Sequence, residues 1–245
     1  PASNPFAAPS TLPLQAPPFD KIKDSDYQPA IEAGMREQIA EIEKIADNKE
    51  APTFDNTFVA MEKSGRMLAR TFGALGVVSS ANTNPVLQKV QEDIAPQLAA
   101  HADAIHLNPK LFARIKAVHD QRDSLKLDAE SLRLVDVVYH DFVHAGAQLS
   151  DADKAKLKKL NGEESTLSAQ FVNKLLAAAN KGALVVSDKK QLAGLGEGDL
   201  AAAAEAAKAR KLDGKWVIAL QNTTQQPDLQ SLTDRATRQK LFEAS

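Results

Sequence analysis

Residues 127–147, LDAESLRLVDVVYHDFVHAGA, decide the fold class, because the helical period seen here recurs along most of the chain. Their apolar side chains Leu127, Leu134, Val138, Phe142 and Ala145 follow the spacing of a single helical face. The residues between them are mostly polar or charged. The stretch therefore predicts an amphipathic helix from about Asp128 to Ala147.

The same period continues on both sides of this stretch and predicts a chain of helices. Caps and proline starts mark several of their N-terminal ends, as at Ser25, Asn84-Pro85 and Asn108-Pro109. The predicted helices run from Asp24 or Ser25 to about Asp47, from Thr53 past Leu75, from Asn84 to about His106, over a short stretch after Asn108, from Ser150 to about Asn180, from Asp199 to Arg210, and beyond Ser231.

Two short stretches and the N-terminus depart from the helical period. Residues 183–187 and 216–220 are predicted to form short strands that pair into a small ribbon, with Trp216 as an apolar anchor. Residues 1–22 hold six prolines and predict an extended arm that packs on the rest of the chain. The expected fold class is mostly all-α, a multi-helix domain with a small β element and this Pro-rich arm.

Composition narrows the classes of function. The chain has 245 residues, 43% of them apolar and 25% charged, with a net charge of −2. Lys and Arg are spread out, so nucleic acid is not an expected partner. No apolar run approaches ~18 residues, so no membrane span is expected. Cysteine is absent, which excludes disulfides, thiolate catalysis and Cys-ligated metals.

The sequence His140-Asp-Phe-Val-His144 resembles the HExxH signature of zinc peptidases. It differs at Asp141, whose side chain is one methylene group shorter than the glutamate of the signature. Glu164 follows twenty positions later, where a third zinc ligand could stand. The helical period argues against this site, because His140 and His144 fall opposite the apolar stripe. Glu164 falls on the apolar stripe of the next helix and is expected to be a structural carboxylate in the helix contact. The three side chains are therefore predicted not to converge, and His140 is expected near Asp136.

The remaining candidates are weak, and no catalytic or metal-ligating residue is predicted. His101, His106 and His119 are expected to be surface histidines. Residues 64–66 and 194–196 indicate turns rather than phosphate loops, and neither a GxSxG elbow nor a GxGxxG loop occurs. Residues 222–227 predict a polar loop after the second strand, of a kind that can line a cleft.

Short motifs in nearly every part of the chain resemble the thimet oligopeptidase family of zinc metallopeptidases, and most closely its bacterial peptidyl-dipeptidase branch. The segment Leu220–Pro227 is the most specific of them, and all follow the family's order. They are Asn4–Phe6, Pro18–Ile22, Tyr27–Ala30, Gly34–Met35, Ala51–Thr57, Met61–Gly65, Phe142–Ala147, Leu160–Glu164, Phe171–Leu176, Leu192–Leu195, Leu220–Pro227, Arg235–Arg238 and Leu241–Ser245.

The resemblance implies a function for a longer protein. Family members bind one zinc ion through HExxH and a glutamate in a C-terminal half, and the peptidyl-dipeptidases release C-terminal dipeptides from oligopeptides. The N-terminal region forms one wall of a deep channel. Residues 23–245 then correspond to the N-terminal helical domain, inactive alone, with no zinc of its own and with substrate-binding residues unknown. Its partners are the oligopeptide and the C-terminal half, in the bacterial cytoplasm or periplasm.

Three alternatives stay open at this point. The segment from Ser231 to Ser245 has a helical pattern without a stop signal, which indicates truncation and favours the peptidase fragment. A self-contained helical binding module derived from the same family is the second interpretation. A compact zinc hydrolase using His140, His144 and Glu164 is the third. The fragment interpretation also predicts exposed apolar surface where the other half would dock.

Overall fold

The computed structural model describes residues 4–244, and only the backbone of Asn180 and Asn222. Predictions for Pro1–Ser3 and for Ser245 lie outside the described residues. The described part is mainly helical with one two-stranded antiparallel sheet, which confirms the predicted fold class. The chain divides into two compact units, unit 1 up to Ala169 and unit 2 from Gln170.

The helices of unit 1 are α1 (Asp24–Ala46), a π-helical turn (Phe54–Val59) that continues into α2 (Ala60–Glu62), α3 (Arg66–Asn82), α4 (Pro85–His106), α5 (Pro109–Asp120) and α6 (Ala129–His144). Helix α7 (Asp151–Lys181) runs from unit 1 into unit 2. Unit 2 continues with β1 (Leu184–Val186), α8 (Glu197–Ala209), β2 (Trp216–Ile218), α9 (Asn222–Ser231) and α10 (Arg235–Glu243).

Side-chain caps start several helices where the sequence predicts them. The Asn84 side chain accepts hydrogen bonds from the backbone N–H groups of Val86 and Leu87, at 2.9 and 3.0 Å. Asn108 caps α5 in the same way. Because a proline follows each asparagine, the first helical position lacks an N–H that would otherwise need a partner. The predicted starts of α4 and α5 are confirmed.

The helix predicted from Thr53 past Leu75 is wrong, because the chain turns at residues 63–65 and starts α3 afresh. The Ser64 hydroxyl donates to the carbonyl of Met61 at 2.7 Å and accepts from the Gln38 amide at 3.3 Å. The Gly65 N–H donates to the Glu41 carboxylate at 2.8 Å. These tertiary hydrogen bonds hold the turn against α1, and periodicity alone does not reveal them.

The N-terminal arm is tied to unit 1 by its Phe6. This side chain is buried beside Tyr27, with the two ring centroids 5.4 Å apart. The Arg70 Nε donates to the Phe6 carbonyl at 2.9 Å, and the Asn4 side chain donates to the carbonyl of Asp26. The arm thereby reaches both α1 and α3.

Helices α1 and α3 approach closely at Gly34. A Cβ atom placed on Gly34 would lie 2.7 Å from the backbone nitrogen of Leu68 and 2.8 Å from its Cα. Around this contact Tyr27, Ile31 and Leu75 are fully buried and form part of one core cluster of unit 1. A second cluster lies between α5 and α6, around Ile115, Val135 and Phe142.

Replacing Gly34 with alanine is expected to destabilise unit 1 by about 2 kcal/mol, because the new methyl group must push the backbone of α3 away. Within a helix, alanine is normally more stable than glycine by about 1 kcal/mol. A loss of stability in Gly34→Ala would therefore indicate the close approach of α3, and a gain would indicate helix propensity alone. Gly73→Ala is the matched control, since a Cβ there meets no atom within 4 Å. Urea denaturation should show Gly73→Ala as stable as the parent or more so, and equal gains in both variants would contradict the close approach.

Unit 2 contains the predicted ribbon, with register Leu184↔Ile218, Val185↔Val217 and Val186↔Trp216. Val186 and Ile218 are buried in its core, and Trp216 is half-buried against them, so it is a partial anchor. The prediction of a loop over residues 222–227 is wrong, because α9 begins there. The amides of Thr224 and Gln225 donate to the Gln221 carbonyl at 2.9 and 2.7 Å.

Residues 222–227 are polar but still form a helix, because the residues at the C-terminal end of α9 and just after it pack on the core of unit 2. Leu232, directly after α9, is 1% exposed, and Leu229 is half-buried against the same cluster. Tertiary packing therefore overrides the local preference for a loop.

Candidate functional site

The histidine face of α6, formed by His140 and His144, is exposed as the helical period predicts. The two imidazole centroids are 6.4 Å apart. The Nδ1 of His140 lies 2.8 Å from the Asp136 carbonyl and 3.4 Å from its carboxylate, which confirms the expected pairing. Phe142 is buried on the opposite side of the helix. The faces of α6 are thus assigned as predicted.

His119 is not the solvated side chain that its charged neighbours suggest. Its imidazole is 12% exposed and stacks on the Tyr139 ring at a centroid distance of 3.8 Å. Its Nδ1 lies 3.6 Å from the Asp120 carboxylate, and its Nε2 lies 3.9 Å from that of Asp136. The prediction failed because α5 and α6 pack together and place His119 between them.

His101 and His106 are also less exposed than predicted. The Nε2 of His101 lies 2.8 Å from the Gln38 amide oxygen, and burial lowers the pKa of His101 below its ordinary value. Burial therefore favours the neutral form of this imidazole. The Nδ1 of His106 lies 2.9 Å from the Ala102 carbonyl, and its ring packs on Phe142 at 4.9 Å. Both histidines serve in local packing.

The predicted burial of Glu164 in a helix contact is wrong. Glu164 is exposed, and its carboxylate accepts a hydrogen bond from the Ser168 hydroxyl at 2.8 Å, one turn along α7. The error lies in the assumed face of α7, because the apolar stripe that carries Glu164 points to solvent.

Among residues 4–244, no group of three or more His, Asp or Glu side chains is placed to hold a metal ion. His140, His144 and Glu164 are thus not brought together as a zinc site. The residues present do not fit a zinc-peptidase centre, although the His140–His144 spacing is that of the motif.

Helix α7 exposes several large apolar side chains. Its large side chains share one face and remain open to solvent: Leu160 is 60% exposed, Leu167 58%, Phe171 66% and Leu175 58%. Val172 and Leu176 are also exposed, and the helical period places them on a different side of α7. Single exposed apolar residues are ordinary, but two large ones on one helix face, such as Leu160 and Leu167 in unit 1, indicate an interaction surface.

The part of α7 that lies in unit 1 contacts its neighbours through another, more polar face. The Asn161 amide donates to the buried carboxylate of Asp103 at 2.7 Å. Farther toward the start of α7, the buried Lys154 reaches the Leu107 carbonyl at 3.4 Å. The sequence predicts the apolar stripe of α7 correctly, but the prediction that this stripe faces the interior is wrong. Exposed apolar side chains are present on the outward face of α7, and docking of the other half there stays a prediction.

Two other expectations concern turns and membrane spans. Residues 63–65 and 193–196 form turns, in agreement with their interpretation as turn material. Within the part of the chain that the structure describes, no helix has the length and apolar character needed to cross a membrane.

Comparison with known proteins identifies relatives along the entire chain. The dipeptidyl carboxypeptidase of Escherichia coli is 52% identical over 239 residues, which are 98% of this chain and 35% of that protein. That of Salmonella typhimurium is 50% identical over 244 residues, 100% of this chain and 36% of the relative. Escherichia coli oligopeptidase A is 23% identical over 236 residues, 96% of this chain and 35% of the relative.

The chain therefore spans about a third of the length of these curated relatives, and the match lies in their N-terminal part. No family model matches the chain. The shared order of motifs seen in the sequence agrees with these relatives, so the resemblance to the thimet oligopeptidase family is confirmed.

Proposed function

We propose that this chain, which is similar to dipeptidyl carboxypeptidases over nearly its whole length, is the N-terminal region of a bacterial peptidase that releases dipeptides from the C-termini of oligopeptides. The observation that carries this proposal is 52% identity over 98% of the chain, matched to only 35% of the relative. Identity at this level over 239 residues supports a shared fold and a shared place in a longer protein.

The proposed role of this region is to form a wall of the substrate channel rather than to hydrolyse the peptide. The outward apolar face of α7 supports this role, because Leu160 and Leu167 are large apolar side chains that the rest of unit 1 leaves exposed. The remainder of the longer protein is the proposed cover for at least part of that face. The substrate is an oligopeptide with a free C-terminus.

The proposed zinc ion belongs to the remainder of the longer protein. Support comes from the geometry of the candidates within residues 4–244, where His140 and His144 point away from the packed side of α6 and Glu164 is not placed with them. No residue of this chain is assigned a catalytic step. The chain alone is expected to be inactive.

We expect the longer protein to release a dipeptide from an N-blocked tripeptide with a free C-terminus, while this chain alone shows no rate above buffer. Liquid chromatography of the products, with both proteins at equal molar concentration, measures the difference. A chelator should abolish the activity of the longer protein, and added zinc should restore it without activating the chain.

His144→Ala provides the control within this chain. The variant should leave the activity of the longer protein within about twofold, because an exposed histidine away from the proposed centre makes no contact with substrate there. Hydrolysis by this chain alone that disappears in His144→Ala would support the compact hydrolase instead. A longer protein without peptidase activity would favour the helical binding module, for which the face of α7 would be the binding surface.

A further inference from the structure

The N-terminal arm and the start of α3 enclose a pocket in unit 1 that the proposed function does not use. Its volume is about 290 Å³, and its walls include Phe6, Pro9, Pro17 and Ala69. This is about twice the 150 Å³ cavity that accepts benzene in another protein. The pocket is thus large enough for one aromatic or prolyl side chain with a polar end group.

The polar groups that line this pocket include two arginines and two uncharged side chains that can donate hydrogen bonds. Arg66 and Arg70 stand one helical turn apart on α3, and Ser10 and Gln15 contribute from the arm. No carboxylate is among the lining residues of this pocket. The backbone of Gln15, one of the lining residues, has a φ of 55°, a conformation uncommon outside glycine.

Neither arginine of this pocket is ion-paired within residues 4–244, although the Glu41 carboxylate binds the Gly65 N–H next to Arg66. No ion pair within 4 Å joins Arg66 or Arg70 to a carboxylate there, whereas the exposed Lys89, Lys110 and Lys116 each pair with an aspartate. Arg70 uses its Nε to hold the Phe6 carbonyl at 2.9 Å, which leaves its two terminal nitrogens for other acceptors.

The N-terminal end of α3 adds to the positive potential. Its first turn contains no acidic residue and begins with Arg66, and no side chain caps it. The positive end of a helix dipole normally attracts acidic side chains or anions. At this end of α3 the Glu41 carboxylate accepts from the Gly65 N–H at 2.8 Å, on the side of α1, and offsets part of that potential.

We propose that this pocket binds a small apolar molecule that carries a carboxylate. The two guanidinium groups match a carboxylate with paired N–H donors, and the proline and phenylalanine walls match an apolar body. A free aryl carboxylic acid and the C-terminal residue of a peptide present the same chemistry. The site lies in unit 1 and is independent of the peptidase assignment.

The test is an NMR titration of the ¹⁵N-labelled chain with 3-phenylpropionate, with 3-phenylpropionamide as the neutral control. The acid should shift the backbone amides of Phe6, Ala69 and Arg70 and bind about tenfold tighter than the amide, because the charge-assisted hydrogen bonds are lost with the amide. Equal affinity of the two compounds, or shifts confined to other parts of the chain, would overturn the proposal. So would inorganic phosphate binding more tightly than 3-phenylpropionate, since the apolar walls would then contribute nothing.

Arg66→Gln is the decisive variant, because Arg66 is exposed and makes no hydrogen bond within the described residues that its loss would break. It should weaken binding of the acid about tenfold and leave binding of the amide unchanged. Arg36→Gln, a substitution of another exposed arginine of unit 1 outside the pocket, is the matched control and should bind as the parent does. An equal loss in both variants would show a general charge effect and refute the site.

The source of the carboxylate is resolved by a second probe, N-acetyl-alanyl-phenylalanine with a free C-terminus. Affinity equal to or above that of 3-phenylpropionate identifies a peptide C-terminus as the ligand class. A clearly weaker affinity identifies a free acid, since the added peptide bond would then be obstructed by the arm. In both cases Arg66→Gln must lower the affinity, and no loss for either probe would refute the proposal.

Discussion

Replacing Arg114 with methionine is expected to lower the free energy of unfolding of unit 1 by about 3 kcal/mol. Arg114 is only 6% exposed, and no carboxylate within the described residues pairs with it. Its guanidinium instead donates to the carbonyls of Asn48 and Glu50 at 2.9 and 3.0 Å and to the Asn56 side-chain oxygen at 2.7 Å. One buried cation thus holds the segment that connects α1 to the π-helical turn.

The size of this effect follows from two opposing contributions. Hydrogen bonds to a charged group contribute about 1.5–3 kcal/mol each, and methionine removes all three while leaving their acceptors partly buried. The desolvation of the guanidinium, which costs several kcal/mol in the folded state, is relieved at the same time. The lost hydrogen bonds outweigh this gain because Asn56 also orders Thr53 and Ala51, so that several contacts weaken together.

Arg114→Lys separates charge from hydrogen-bond geometry. The ammonium group keeps the charge but cannot reach two carbonyls and the Asn56 oxygen at once, so an intermediate loss is expected. Arg36→Met, at an exposed position, should change stability by less than about 0.5 kcal/mol. Guanidinium chloride denaturation measures all three. If Arg114→Met has the same free energy of unfolding as the parent, the segment between α1 and the π-helical turn is held by its own turn contacts rather than by Arg114.

The helix starts and the ribbon could be predicted from sequence because their determinants are local. Asn84-Pro85 and Asn108-Pro109 carry both the cap and the first helical residue, and the structure uses them as such. The second predicted helix failed at residues 63–65, where Gln38 and Glu41, more than twenty positions away, hold the turn. Contacts over that separation leave no periodic trace in the sequence.

In the candidate site, too, local features could be predicted from the sequence and tertiary contacts could not. Helical period placed His140 and His144 on the exposed face of α6, but the stripe on α7 could be recognised without revealing which face is covered. A period of 3.6 residues identifies side chains that share a face and is silent on what that face contacts. The small residues on the other side of α7, together with Asn161 opposite the buried Asp103, are the signal that could have reversed the assignment.

Replacing Gly194 with alanine is expected to destabilise unit 2 by about 3 kcal/mol or more. Gly194 has a φ of 99°, which costs a residue with a Cβ about 1–2 kcal/mol. In addition, a Cβ there would lie 2.1 Å from the backbone oxygen of Ser231. Backbone cannot give way as a flexible side chain can, so the loop between α9 and α10 would have to move.

The contact that would be disturbed joins two parts of unit 2. The Thr233 N–H and hydroxyl donate to the Ala193 carbonyl at 2.8 and 3.0 Å, beside Gly194. Leu192 and Leu232, which flank this junction, are both 1% exposed in the core of the unit. Displacing the loop therefore breaks hydrogen bonds and opens the core at the same place, which is why the expected loss exceeds the backbone strain alone.

Two other glycines of unit 2 separate the contributions. Gly214 has a φ of 76° but open space around its Cβ position, so Gly214→Ala should show the backbone strain alone, about 1–2 kcal/mol. Gly198 lies in α8 with open space and no left-handed backbone, so Gly198→Ala should be neutral or slightly stabilising. Denaturation midpoints, with hydrogen exchange at the Thr233 amide, should rank the losses as Gly194, then Gly214, then Gly198. Equal losses of stability in Gly194→Ala and Gly214→Ala would mean that the contact with the Ser231 oxygen relaxes at no energetic cost. The backbone strain at positive φ would then be the only constraint on residue 194.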